Sequence, residues 1–111
     1  MNGRQTLGEN IADLAGVIVA LDAYHASLGG RPAPVIDGLT GDQRFFLSWA
    51  QNWQAKQRDE FLRRAAIEDV HAPPLQRLLG SVRNVDEWYT AFDVKPGDKY
   101  YLEPEERVRI W

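Results

Sequence analysis

Glu9 and Asp13 stand four residues apart in Glu9-Asn10-Ile11-Ala12-Asp13. On a helix such residues lie one above the other, their Cβ atoms roughly 5–6 Å apart. Two carboxylates on one face repel unless a cation lies near, and a metal ion or an arginine is the natural relief. The small residues Ala12, Gly16 and Ala20 continue close to that face and allow another element to approach. The spacing also admits a plain reading: Glu9 as the partner of Thr6 in a helix-opening capping box, Asp13 as a solvated charge near a helix N-terminus. His71 sits in Asp69-Val70-His71-Ala72-Pro73, where a loop stiffened by proline can hold a side chain steady, and Arg77 follows six residues later. Read alone, these two are a loop histidine and a solvated helix charge. Trp53 reads as core. His25 reads as a surface residue of the first helix.

The elements that position these groups are helical. Thr6-Leu7-Gly8-Glu9 fits the box S/T-x-x-E, and Ile11, Leu14, Ala15, Ile18, Leu21 and Ala23 recur at helical spacing. The first helix is expected from about Leu7 to Leu28, ended by Gly29-Gly30 with Pro32 and Pro34 beyond. Thr40-Gly41-Asp42-Gln43 is a second box, followed by the stripe Phe45, Phe46, Trp49, Ala50 and Trp53 in a helix reaching Gln57. Asp59 is expected to cap a third helix with Phe61, Leu62, Ala65, Ala66 and Ile67 as its buried face. Ala72-Pro73-Pro74 breaks it. Leu75 to Val82 reads as a short helix, and Asn84 caps another from Val85 to Phe92. Lys95 to Trp111 is turn-rich, with a helical turn at Pro104 to Arg107. No segment alternates long enough to claim a strand. The fold class is all-α, about four to five helices with a loop-rich C-terminal tail, in one domain spanning residues 1–111 with no repeat or linker.

Composition narrows the function. Hydrophobic residues make up 44% and charged residues 26% of the 111, ordinary for a soluble globular chain with a real core. The net charge of −3 is spread without a basic stripe, so nucleic acid is not an expected partner. The longest apolar run, Val17 to Leu21, is too short to span a bilayer, and no signal peptide is read at the N-terminus. Met1 directly before Asn2-Gly3 reads as a start set onto a longer chain, with any targeting signal out of view. There are no cysteines, hence no disulfides and no thiolate metal site.

Asn2-Gly3, Thr6-Leu7-Gly8-Glu9-Asn10-Ile11-Ala12-Asp13, Gly16, Tyr24, Phe45-Phe46, Ala50-Gln51, Trp53, Asp69-Val70-His71-Ala72-Pro73, Arg77 and Arg109-Ile110-Trp111 occur in this order. Together they resemble the C-terminal portion of the neprilysin family of zinc endopeptidases, a group that includes the endothelin-converting enzymes and bacterial endopeptidases. The resemblance implies part of the helical catalytic subdomain of a zincin-like peptidase. It also implies a missing helix, because such a peptidase needs H-E-x-x-H and the two histidines, His25 and His71, cannot form it. By the resemblance, Glu9 is the third protein ligand of one catalytic zinc, the other two being histidines outside this chain. Such a His₂Glu set leaves a position open for water. Asp13 is the carboxylate that orients a ligand histidine, His71 hydrogen-bonds the oxyanion of the tetrahedral intermediate, and Arg77 pairs with Asp13 and donates to the substrate carbonyl beyond the scissile bond. Trp53 and the preceding Asn52 line the pocket for the next substrate side chain. Better-known members have an aliphatic residue where Asn52 stands. Vertebrate members have cysteines where Gln54 and Val108 stand, so the chain is similar to bacterial members.

The implied partners are peptide substrates and the remainder of the parent peptidase, in an extracytoplasmic setting. The isolated chain is expected to be inactive and open to self-association through the face that would meet the missing helix. The alternative is a non-catalytic helical domain of the same descent that binds a partner.

Overall fold

The computed structural model describes residues 1–111. Five α-helices follow one another: α1 Gly3–Ser27, α2 Gly41–Asn52, α3 Asp59–Glu68, α4 Pro74–Val82 and α5 Asp86–Phe92, with a 3₁₀ turn at Pro104–Glu106. The only β-type pairing is a single bridge, Ile36 to Leu39, closed over Asp37 and Gly38, both at positive φ.

The long helix begins earlier than its sequence signals suggest. Asn2 caps α1, its side chain accepting from the Arg4 N–H. Thr6 therefore does not cap it. It lies one turn inside, almost wholly buried, donating to the Asn2 carbonyl and accepting from Asn10 Nδ2. Glu9 is thereby released from any capping duty. At the other end Gly29 and Gly30 take positive φ and stop the helix where expected. The Thr40 box at α2 is complete: Thr40 Oγ1 accepts from the Gln43 N–H, and Gln43 Oε1 accepts from the Thr40 N–H. α2 ends at Asn52, with Trp53 in the C-cap position, short of the expected Gln57. Arg58, not Asp59, holds the N-cap position of α3, and Asp59 and Glu60 fill its first turn, where carboxylates complement the helix dipole. Pro74 occupies the first turn of α4, where its missing N–H costs nothing.

Asn84 does not cap α5. Its Nδ2 donates to the Gly80 carbonyl and its Oδ1 accepts from the Val108 N–H, tying the tail to the end of α4. Asp86 completes that anchorage by accepting from Arg107 and Arg109. Arg107 also stacks over the Tyr89 ring at 3.6 Å.

The core is Leu14, Val17, Leu21, Phe46, Val82 and Val85, with Trp49, Trp88 and Ile110 partly buried against it. α1 packs along α4, and α2 against α4 and α5. Where α1 passes α2, His25 Nε2 lies 2.6 Å from Asp42 Oδ1, so His25 is half-buried in an interhelical pair rather than free on the surface. Gly41 fits tightly there, since a Cβ at this position would overlap the Tyr24 hydroxyl and Ala33.

α3 departs most from expectation. It buries no residue, and Phe61, Leu62 and Ile67, expected to face a core, are exposed. Ala65 and Ala66, expected on the same face, are half-buried, so these 111 residues cover the face only in part.

Candidate active site

Two of the helices and one loop bring the candidate residues together. Glu9 and Asp13 are separated by about 40° around α1, enough to place them differently. Asp13 turns toward α4 and is only 10% exposed. Arg77 reaches it with a two-pronged fork: Nε donates to Oδ2 and Nη2 to Oδ1, each at 2.7 Å. Hydrogen bonding to Asp13 raises the Arg77 pKa further above its ordinary value, so the guanidinium stays charged. The planar group also lies over the Trp53 ring, 4.3 Å from its centroid, a cation–π contact that reinforces its orientation.

Glu9 lies at the rim, 44% exposed. Its Oε2 is 3.3 Å from His71 Nε2. The loop between α3 and α4 is shaped to present that imidazole. Asp69 Oδ1 accepts from the His71 backbone N–H and lies 2.9 Å from His71 Nδ1, the local turn that an Asp two residues upstream favours. The His71 backbone N–H, and after it the ring, hold the Asp69 carboxyl below the usual carboxylate range. Buried Ala72 pins the loop, and Pro73 and Pro74 stiffen its exit. Gln5 Nε2 donates to the Glu68 carbonyl across to the start of α1.

A cavity of about 210 Å³ opens beside these groups, lined by Trp53, Phe61, Leu62, Ala65, His71 and Arg77 among others. Glu9, Asp13, Trp53, His71 and Arg77 thus form one neighbourhood. Asn52 does not join it: it is exposed at the end of α2 and lines neither this cavity nor the larger groove beside it. Phe61 and Ala65 do line the cavity. Their apolar spacing was legible, but not that they face His71.

The arrangement separates two duties. Asp13 and Arg77 neutralise each other, and Glu9 and His71 face outward. Nowhere do three histidine, aspartate or glutamate side chains converge to hold a metal ion by themselves. The chain fits such an ion only as a contributor of one open carboxylate, Glu9, with the remaining donors supplied from elsewhere.

The model of peptidase family M13 matches residues 1–108. A neutral endopeptidase of Lactobacillus helveticus is 41% identical over 111 residues, all of this chain and 16% of that protein. Neprilysin-3 of Drosophila melanogaster is 36% identical over 115 residues, again all of this chain and 14% of that protein. Among solved structures, the zinc metalloprotease Zmp1 of Mycobacterium tuberculosis in its open state superposes with a TM-score of 0.95 at 55% identity, over 98% of this chain and 17% of that one. The chain therefore spans about one sixth of the length of these relatives. All-helical architecture, a match along nearly the full length and the identities together lead to one statement of kinship: the chain belongs to peptidase family M13.

Proposed function

We propose that this chain is the C-terminal portion of the catalytic domain of a zinc metalloendopeptidase that hydrolyses peptide bonds in oligopeptides. The observation that carries the reading is the pairing of Asp13 with Arg77 beside Glu9 of α1 and His71 of the α3–α4 loop, which meet at the rim. A degenerate partner-binding domain has no reason to keep all four in register.

Glu9 is the zinc ligand of this chain, and two histidines outside it complete the set. When bound, the ion supplies Lewis acidity and lowers the pKa of a water at its open position. Asp13 orients one of those histidines. A carboxylate offers about four acceptor positions; Arg77 takes one on each oxygen, leaving others for an imidazole N–H. The same count serves Arg77. Of its five N–H donors, two are spent on Asp13, and the remainder are available to the substrate carbonyl beyond the scissile bond. His71 is held through Nδ1 by Asp69, so Nε2 is the atom that donates to the developing oxyanion. Trp53 supplies an apolar wall for the adjoining substrate side chain.

The chain by itself carries no H-E-x-x-H and is expected to show no peptidase activity and weak zinc affinity. Its bare apolar faces favour self-association. No helix is long and apolar enough to cross a membrane. We place the parent outside the cytoplasm, by analogy with relatives such as the human membrane metallo-endopeptidase-like 1, and among bacterial members.

The roles are tested in the full-length protein containing this chain. His71→Ala is expected to leave zinc content unchanged and to lower kcat about 10²–10³-fold, the usual cost of losing one oxyanion donor. An unchanged kcat on a test peptide would remove His71 from that role.

A further inference from the structure

Arg77 is held at both of its ends, and two of the residues involved, Ser81 and Trp49, do not belong to the zinc or substrate set. Its backbone carbonyl accepts from Ser81 Oγ at 2.9 Å, and the same hydroxyl lies 2.9 Å from the Leu78 carbonyl. Ser81 is almost wholly buried. Its oxygen accepts from Trp49 Nε1 at 3.1 Å, a bond that joins α2 to α4. Trp49 then meets Trp53 edge to face, ring centroids 5.4 Å apart and planes at 75°. The Trp53 face in turn lies under the Arg77 guanidinium. The contacts close a ring: Arg77 carbonyl, Ser81, Trp49, Trp53, Arg77 guanidinium.

Each member is suited to its place. A serine hydroxyl both donates and accepts, so Ser81 satisfies a carbonyl on α4 while receiving the indole N–H. Indole is the best ring for a guanidinium to lie on. Trp53 acts through that face, since its Nε1 is buried without a hydrogen-bond partner. Trp49 is the reverse case, an indole whose N–H is the connecting atom.

We propose that Trp49 and Ser81 are positioning residues for Arg77. With Trp53 they brace the guanidinium on one face while Asp13 holds its edge, so that its free N–H groups keep their direction when substrate enters. The proposal rests on the reading of Arg77 as a substrate-facing group.

The test is a double-mutant cycle in the full-length protein, with kcat/KM on a peptide, zinc content and thermal midpoint measured for each variant. Trp49→Phe keeps an aromatic ring, though a smaller one, and deletes the N–H. It is expected to lower kcat/KM about five- to tenfold, the worth of one hydrogen bond, with zinc content retained. In an Arg77→Met background the same substitution is expected to cost nothing further. Ser81→Ala, which removes the acceptor with little change in volume, serves as an independent second arm with the same expectation. It decides the matter if Trp49→Phe does not fold. Equal losses in both backgrounds would show that the ring acts on general stability and would overturn the proposal, as would an unchanged kcat/KM in the wild-type background. If Arg77→Met alone left kcat/KM unchanged, the reading of Arg77 itself would fall, and the brace with it. A merely structural role shifts the thermal midpoint but does not depend on the residue at position 77.

Discussion

The two faces of α1 differ in what covers them. Toward α4 it buries Leu14, Val17 and Leu21 almost completely. On the opposite side Val19 is 55% exposed among the small residues Gly8, Ala12, Gly16 and Ala23, and Leu7 and Ile11, beside the covered stripe, are exposed at 56% and 45%. The uncovered surface thus mixes apolar and small residues with the exposed charges Arg4 and Asp22. Asp13 and Glu9 sit along the border. Asp13, on the covered side, is paired with Arg77 within this chain. Glu9, beside the bare side, is 44% exposed and meets only the His71 imidazole, at 3.3 Å. The difference teaches that burial, not chemical type, divides the work between two carboxylates four residues apart.

The contrast is broken most strongly by shortening side chains on the two faces of the 111-residue chain. Leu21→Ala is expected to cost about 2–5 kcal/mol in a denaturant melt, and Val19→Ala within about 0.5 kcal/mol. Comparable losses would mean that the bare face is covered after all. Sedimentation across a concentration series checks this independently, because a self-associating chain makes the cost of Val19→Ala concentration-dependent.

A smaller effect separates the carboxylates. Asp13→Ala leaves the Arg77 fork without its acceptor and is expected to destabilise the chain by roughly 1–3 kcal/mol. Glu9→Ala is expected to leave stability nearly unchanged. Equal effects would erase the distinction drawn between them.

The smallest effect lies away from the site. Hydrogen bonds from Arg107 and then Arg109 hold the Asp86 carboxyl below its ordinary pKa. A depressed folded value stabilises above the unfolded pKa, near 3.9, and that contribution is lost as pH falls through the folded value. The hydrogen-exchange protection factor of the Val108 amide, held by Asn84, should therefore fall in acid. Asp86→Asn should remove that pH dependence, and an unaltered profile would show that Asp86 does not govern the tail.

What could be read beforehand follows the same division. The Thr40 box and the Gly29-Gly30 stop were legible because their physics is local. The start of α1 was not. Thr6 has the right chemistry for a cap, but Asn2 holds that place and Thr6 is buried behind it. The apolar face of α3 was legible, whereas how little of it is covered was not, because periodicity reports a face and not its partner. The fork between Asp13 and Arg77 spans 64 positions; spacing alone says nothing of it, and only the resemblance pointed there. The bond from Trp49 to Ser81 had no sequence signal at all, since both residues are ordinary members of apolar helix faces.

The account turns on Glu9 being the carboxylate this chain lends to a metal. The most direct measurement is the zinc content of the full-length protein carrying Glu9→Ala, beside wild type and Asp13→Ala. The account predicts that Glu9→Ala loses its zinc, while Asp13→Ala keeps a site weakened about 10–100-fold. Stoichiometric, tightly held zinc in Glu9→Ala would contradict it.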